Sequence, residues 1–113
     1  MRDYKLHLYD ILDAVKKIEK YTRHLSLIRF RKEELIIDGV VRNLEIIGEV
    51  SKNIPTIIKS QMPNIEWKKI VGLRNILIHE YFGVDPEILW DIIENKLPEL
   101  KKTISVYLNE TNE

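Results

Sequence analysis

The sequence contains no cysteine, which excludes disulfides and thiolate metal sites and suits the reducing cytoplasm. Histidine is nearly as scarce: His7, His24 and His79 lie far apart, so no metal-ligand spacing emerges. No run approaches the roughly 20 apolar residues of a membrane helix. Met1-Arg2-Asp3-Tyr4-Lys5 opens in charged residues rather than in a signal-peptide pattern. An excess of one charge is missing too, because 18 Lys plus Arg balance 18 Asp plus Glu, so the chain lacks the basic surplus of a protein that coats nucleic acid. The expectation is a cytoplasmic protein without membrane contact, cofactor or metal, in which any RNA contact is local.

Glycine and proline are sparse, four of each in 113 residues, and apolar residues recur between them at three- and four-residue spacing. That pattern predicts an all-α fold, and 44% hydrophobic residues suffice for one core in a single domain over 1–113. Leu8, Ile11, Leu12, Val15 and Ile18 form one stripe of a helix over about residues 3 to 22. After a connector around His24 to Arg31, a second helix carries Ile37, Val40, Val41, Leu44, Ile47 and Gly48, broadened by Ile36, Ile46 and Val50. So wide a stripe implies either a central place in a bundle or a second protein surface against it. Pro55 should end or kink this helix. Asn64 reads as the N-cap of a third helix, with Glu66 at the positive end of its dipole. Its core face is Ile70, Leu73, Leu77 and Ile78, and it should run out near Tyr81 to Gly83. Asp85-Pro86 starts a last helix with Leu89, Ile92, Ile93, Leu97, Leu100, Ile104 and Leu108 inward and a kink at Pro98.

One constellation could carry chemistry: Arg74-Asn75-Ile76-Leu77-Ile78-His79-Glu80-Tyr81, at the end of the third helix beside a glycine-containing turn. The plain alternative is a solvated arginine and a partly buried capping histidine. At about 100° per residue, Arg74 and Tyr81 fall on nearly one face while His79 is turned about 140° from Arg74. Convergence therefore requires the helix to unwind at His79, or a second copy of the chain to supply the opposing residues, as two-fold symmetry would allow. Asp38, Arg42, Glu45 and Glu49 draw a polar line down the second helix, either a solvated face or a row of cleft residues. Arg23, Arg29, Arg31, Lys32, Lys68 and Lys69 could steer RNA or be ordinary surface charge. His79-Glu80 lacks a second histidine three residues on, so a zinc-protease motif is absent.

Arg, four residues, His, one residue, Tyr resembles the motif of the HEPN-domain ribonuclease toxins of the HepT type (DUF86-like). Val41-Arg42-Asn43-Leu44-Glu45-Ile46-Ile47-Gly48-Glu49, the run from Trp67 to Asp85 and Leu97-Pro98-Glu99-Leu100 are similar to the same family. The resemblance implies an up-and-down bundle of four to five helices forming a two-fold homodimer that cleaves RNA without a metal in the cleft between subunits. His79 would serve as the acid or base and Arg74 would stabilise the phosphorane, with Asn75, Arg42 and Glu45 in support. It further implies the toxin half of a type VII toxin–antitoxin pair. Its partner, an antitoxin nucleotidyltransferase of the MntA type, would transfer AMP to Tyr81, and bulk and negative charge beside His79 would then block the cleft. The competing function is a binding module that docks on the nucleotidyltransferase, presents Tyr81 as its substrate and cleaves nothing. A third is an RNA-binding protein that uses Arg74 to hold phosphate.

Overall fold

The computed structural model describes residues 4–79 and 85–111, with the backbone alone at 74–76, 78 and 79. Among the described residues all regular structure is helical: α1 (Tyr4–Thr22), α2 (Leu27–Phe30), α3 (Glu34–Ser51), α4 (Thr56–Ser60), α5 (Trp67–His79), α6 (Pro86–Asp91) and α7 (Leu97–Thr111). A π-helical turn, Ile92–Lys96, joins α6 to α7, so the last helical pattern runs unbroken from Pro86 to Thr111. The stripe read on α1 is the core stripe, since Leu8, Ile11, Val15 and Ile18 have no exposed surface and Leu12 retains 7%.

α3 packs against α1 on one side and α5 on the other. A central helix needs apolar residues over a wide arc, and that place accounts for the breadth of its stripe. Val40, Val41, Leu44 and Ile47 are buried, while Ile36, Ile37, Ile46 and Val50 are half-buried against the same core. A central place in the bundle, the first of the two readings of that breadth, is met within the chain. α1 and α7 run antiparallel: Lys5 at the start of α1 donates to the Thr111 carbonyl at 2.9 Å, and Glu19 near its end meets Lys101 at 3.0 Å.

The helix boundaries depart from the sequence reading in three places. α2 and α4 are additional, and at four and five residues neither is long enough to display an apolar period. α3 stops at Ser51, before Pro55, which precedes the first residue of α4. Asn64 is not the cap of α5. The Glu66 carbonyl accepts the first helical amides, from Lys69 and Ile70, while the Asn64 amide donates to Thr103 at 2.7 Å and to Glu99 at 3.3 Å, tying this turn to α7. Asp85 does cap α6, its carboxylate accepting from the Glu87 amide at 2.9 Å, with Pro86 where no donor is needed. The kink expected at Pro98 takes the form of the π turn, closed by the Leu97 amide on the Ile92 carbonyl, one turn ahead of the residue that lacks a donor.

Candidate active site

α5 carries the Arg-and-His segment, and its first turn is tightly fixed. The Trp67 indole is buried and donates to the Met62 carbonyl at 3.4 Å, and the Lys59 ammonium lies 5.9 Å from the centre of its ring. Glu66, at the positive end of the helix as expected, accepts from the Lys69 ammonium at 2.8 Å and faces Lys96 at 4.0 Å. The hydrogen bond and charge of Lys69, with a smaller contribution from Lys96, hold the Glu66 carboxyl below its ordinary range, and Glu66 in turn raises Lys69.

The backbone of α5 stays α-helical through His79. Unwinding after His79, the first of the two routes to convergence, falls on residues outside those described, while up to His79 the spacing is that of a regular helix. Positions 74 and 79 lie about 140° apart around the axis. Position 79 instead shares a face with Lys68, Gly72 and Asn75, all within an arc of about 60°. Half-buried Ile70 and Leu73 and buried Leu77 occupy the opposite side, toward α3. The side chains of Arg74, Asn75 and His79 lie outside the described structure, and Tyr81 lies outside the described residues together with Gly83.

The segment after α5 is resumed at Asp85 by an α6 that is well anchored. The Trp90 ring packs on the buried Phe30 ring of α2, centroids 5.2 Å apart at 43°, and Glu87 pairs with Arg31. Arg31, which stays exposed, thus links the end of α2 to α6. Arg29 faces Glu33 at 3.9 Å and Lys69 is taken by Glu66, whereas Arg23, Lys32 and Lys68 are exposed without an ion pair among the described residues. On α3, Arg42 is exposed and Glu45 half-buried, so the outer side of the central helix keeps polar groups in reach of solvent. Asp38 and Glu49, on the same polar line, are both exposed and engaged in interactions of their own.

A cleft absent from the sequence reading opens between α3, the start of α5 and the α6–α7 helix. It has a volume of about 250 Å³ and is floored by Leu44, Ile47, Ile70, Leu73 and Leu97, with Glu66, Lys69 and Lys96 among its polar lining. The nearest signal in the sequence is Ile92, which belongs to the inward stripe of the last helix yet stays half-buried because it lines this cleft.

Residues 11–107 match the family model described as "Ribonuclease HepT-like". The chain is 42% identical over 105 residues to "Putative RNase MJ1380" of Methanocaldococcus jannaschii, covering 93% of this chain and 96% of that one. It is 38% identical over 109 residues to "Putative RNase MJ0127" of the same organism, covering 96% and 90%. To "Probable ribonuclease HepT" of Thermococcus cleftensis it is 42% identical over 100 residues, covering 88% and 91%. No solved structure matches the chain. With a family match that spans nearly its whole length and an all-helical bundle to go with it, the chain belongs to the HepT-like ribonuclease family.

Proposed function

We propose that the protein is an endoribonuclease toxin whose active site forms between two copies of the chain, with Arg74 and His79 as catalytic residues and no metal in the reaction. The observation that carries this reading is the Arg74, His79 and Tyr81 pattern in a chain of the HepT-like ribonuclease family whose similar relatives are named ribonucleases. The continuous α5 backbone supports the two-copy arrangement: residues on faces about 140° apart act on one phosphate more readily when each chain supplies one of them.

The chemistry follows from the groups. His79 takes the proton of a ribose 2′-hydroxyl, the 2′-oxygen attacks the adjacent phosphorus, and the bond to the 5′-oxygen breaks as that oxygen regains a proton. The products are a 2′,3′-cyclic phosphate and a 5′-hydroxyl. Histidine suits both transfers because it titrates near neutral pH. The phosphorane carries more negative charge than the substrate, and a guanidinium from Arg74 forks onto its oxygens. Arg42, Glu45 and Asn75 support the substrate around that centre. The cognate antitoxin is a nucleotidyltransferase of the MntA type. The Tyr81 oxygen attacks the α-phosphorus of ATP, pyrophosphate leaves, and the attached AMP places bulk and negative charge two residues from His79. The system is then a type VII toxin–antitoxin pair acting in the cytoplasm.

The test is RNA cleavage in the presence of EDTA by unmodified protein of verified intact mass, purified without its partner. Wild type and Tyr81→Phe are expected to cut, and His79→Ala and Arg74→Ala to lose at least about a hundredfold in rate. No cutting by a folded, unmodified wild type that the nucleotidyltransferase still modifies would make the protein a docking module instead.

A further inference from the structure

The outer face of α5 holds more than the proposed catalytic histidine. Lys68, Gly72, Asn75 and His79 stand at intervals of four, three and four residues, which aligns them along about 16 Å of helix. Two of them have features that the described residues do not use. Lys68 is exposed and has no ion pair among the described residues, although carboxylates take Lys69 beside it and Lys101 on α7. Gly72 is a poor residue for a helix interior, and its φ is not one that requires glycine. A Cβ built there meets nothing within 4 Å among the described residues, so none of them accounts for the missing side chain. The other glycine with a measured surrounding, Gly39, is explained within the chain, because a Cβ there would lie 3.1 Å from the Tyr21 ring.

We propose that this face is the track along which the RNA backbone reaches the reaction centre, with Lys68 as a phosphate-binding residue and Gly72 as the point where the backbone comes closest to the helix. The proposal rests on the ribonuclease reading. Its occupant is set by charge and by continuity. An exposed ammonium without an ion pair among the described residues at one end and the proposed base at the other lie on one straight, rigid element, and a polyanion with a scissile phosphate is the ligand that uses both. The missing Cβ lets that backbone lie against the helix, as glycine does wherever a ligand's backbone must approach closely. Lys68 sits about three helical turns from His79, so it contacts a phosphate several bonds away from the one cleaved. It is therefore a positioning residue and not a catalytic one.

Binding is measured in the His79→Ala background with an unstructured RNA of about a dozen nucleotides across a salt series. Lys68→Gln is expected to flatten the slope of log affinity against log salt by about 0.7, the loss of one single-strand phosphate contact. Gly72→Leu is expected to weaken binding at least about tenfold while raising the midpoint of thermal unfolding by about 2 to 6 °C, since it trades a poor helix former for a good one where no described residue comes within 4 Å of the added Cβ. In the catalytically intact protein, the preference for the long RNA over a dinucleotide is expected to fall in both variants. Wild-type RNA affinity and salt slope in both would overturn the proposal. So would a Gly72→Leu variant whose oligomeric mass differs from wild type, which would give the face to a second copy of the chain. Failure of wild type to cleave any RNA sinks the ribonuclease reading, yet the binding series still decides whether RNA occupies this face.

Discussion

Ser51, the last residue of α3, has no exposed surface and a hydroxyl without a hydrogen-bond partner among the described residues. A buried donor left unpaired costs about 1 to 3 kcal/mol, so Ser51→Ala is expected to leave stability unchanged or raise it by up to about 1 kcal/mol in urea unfolding. A comparable loss would show that the hydroxyl is paired in solution. Glu66 and Lys69 give a second residue-level test, because the two shifts have opposite signs. The depressed Glu66 pKa adds stability above its unfolded value that disappears as pH falls through the folded one. The raised Lys69 pKa adds stability that disappears as pH rises through it. The difference in thermal midpoint between wild type and Glu66→Gln is therefore expected to be largest near neutral pH and to shrink at both extremes. A difference independent of pH would contradict the pair. At this scale the sequence is legible where a residue acts on its own helix, as with Glu66 at the start of α5 and Asp85 at the start of α6. It misleads where the partner is remote: Asn64 has the composition of a cap, but Thr103 and Glu99, thirty-odd residues on, take its side chain.

Among the elements, α1, α3 and the helix beginning at Pro86 announce themselves through long apolar periods, whereas α2 and α4 are set by tertiary contacts such as the Phe30–Trp90 packing. The π turn belongs to neither class. Proline at 98 signals an interruption but not its form, because a kink and a widened turn both spare the missing donor. A π turn takes up one more residue than an α turn, so removing exposed Asn95 should restore an α-helix without rotating α7. Its deletion is expected to cost less than about 2 kcal/mol, with loss of the Asn95–Asp91 hydrogen bond included. Deleting exposed Lys102 instead turns buried Ile104 and Leu108 by about 100° and is expected to cost more than about 4 kcal/mol. Equal costs in equilibrium unfolding would contradict this reading of the turn.

For the molecule as a whole, the fold class was readable from period and punctuation, while the arrangement of the candidate site was not. The breadth of α3 has two explanations in the sequence, and the packing of α1 and α5 on either side of it shows that a central place in the bundle is one that holds. The chemistry of α5 bears on assembly more directly. Arg74 and His79 are five residues apart on a helix that continues through both, and that spacing sets the two positions on different faces. A chain that uses both on one phosphate does so most simply with a second copy, so that each site takes its arginine from one chain and its histidine from the other.

That arrangement is tested by mixing. Arg74→Ala and His79→Ala are purified separately, combined in equal amounts, allowed to exchange subunits, and assayed for RNA cleavage in EDTA. Each variant alone is expected to be inactive, and the mixture to recover about a quarter of wild-type activity, because half of the dimers are mixed and each holds one intact site of two. Cleavage by either variant alone, or a mixture as silent as its components, would contradict a ribonuclease site shared between two chains.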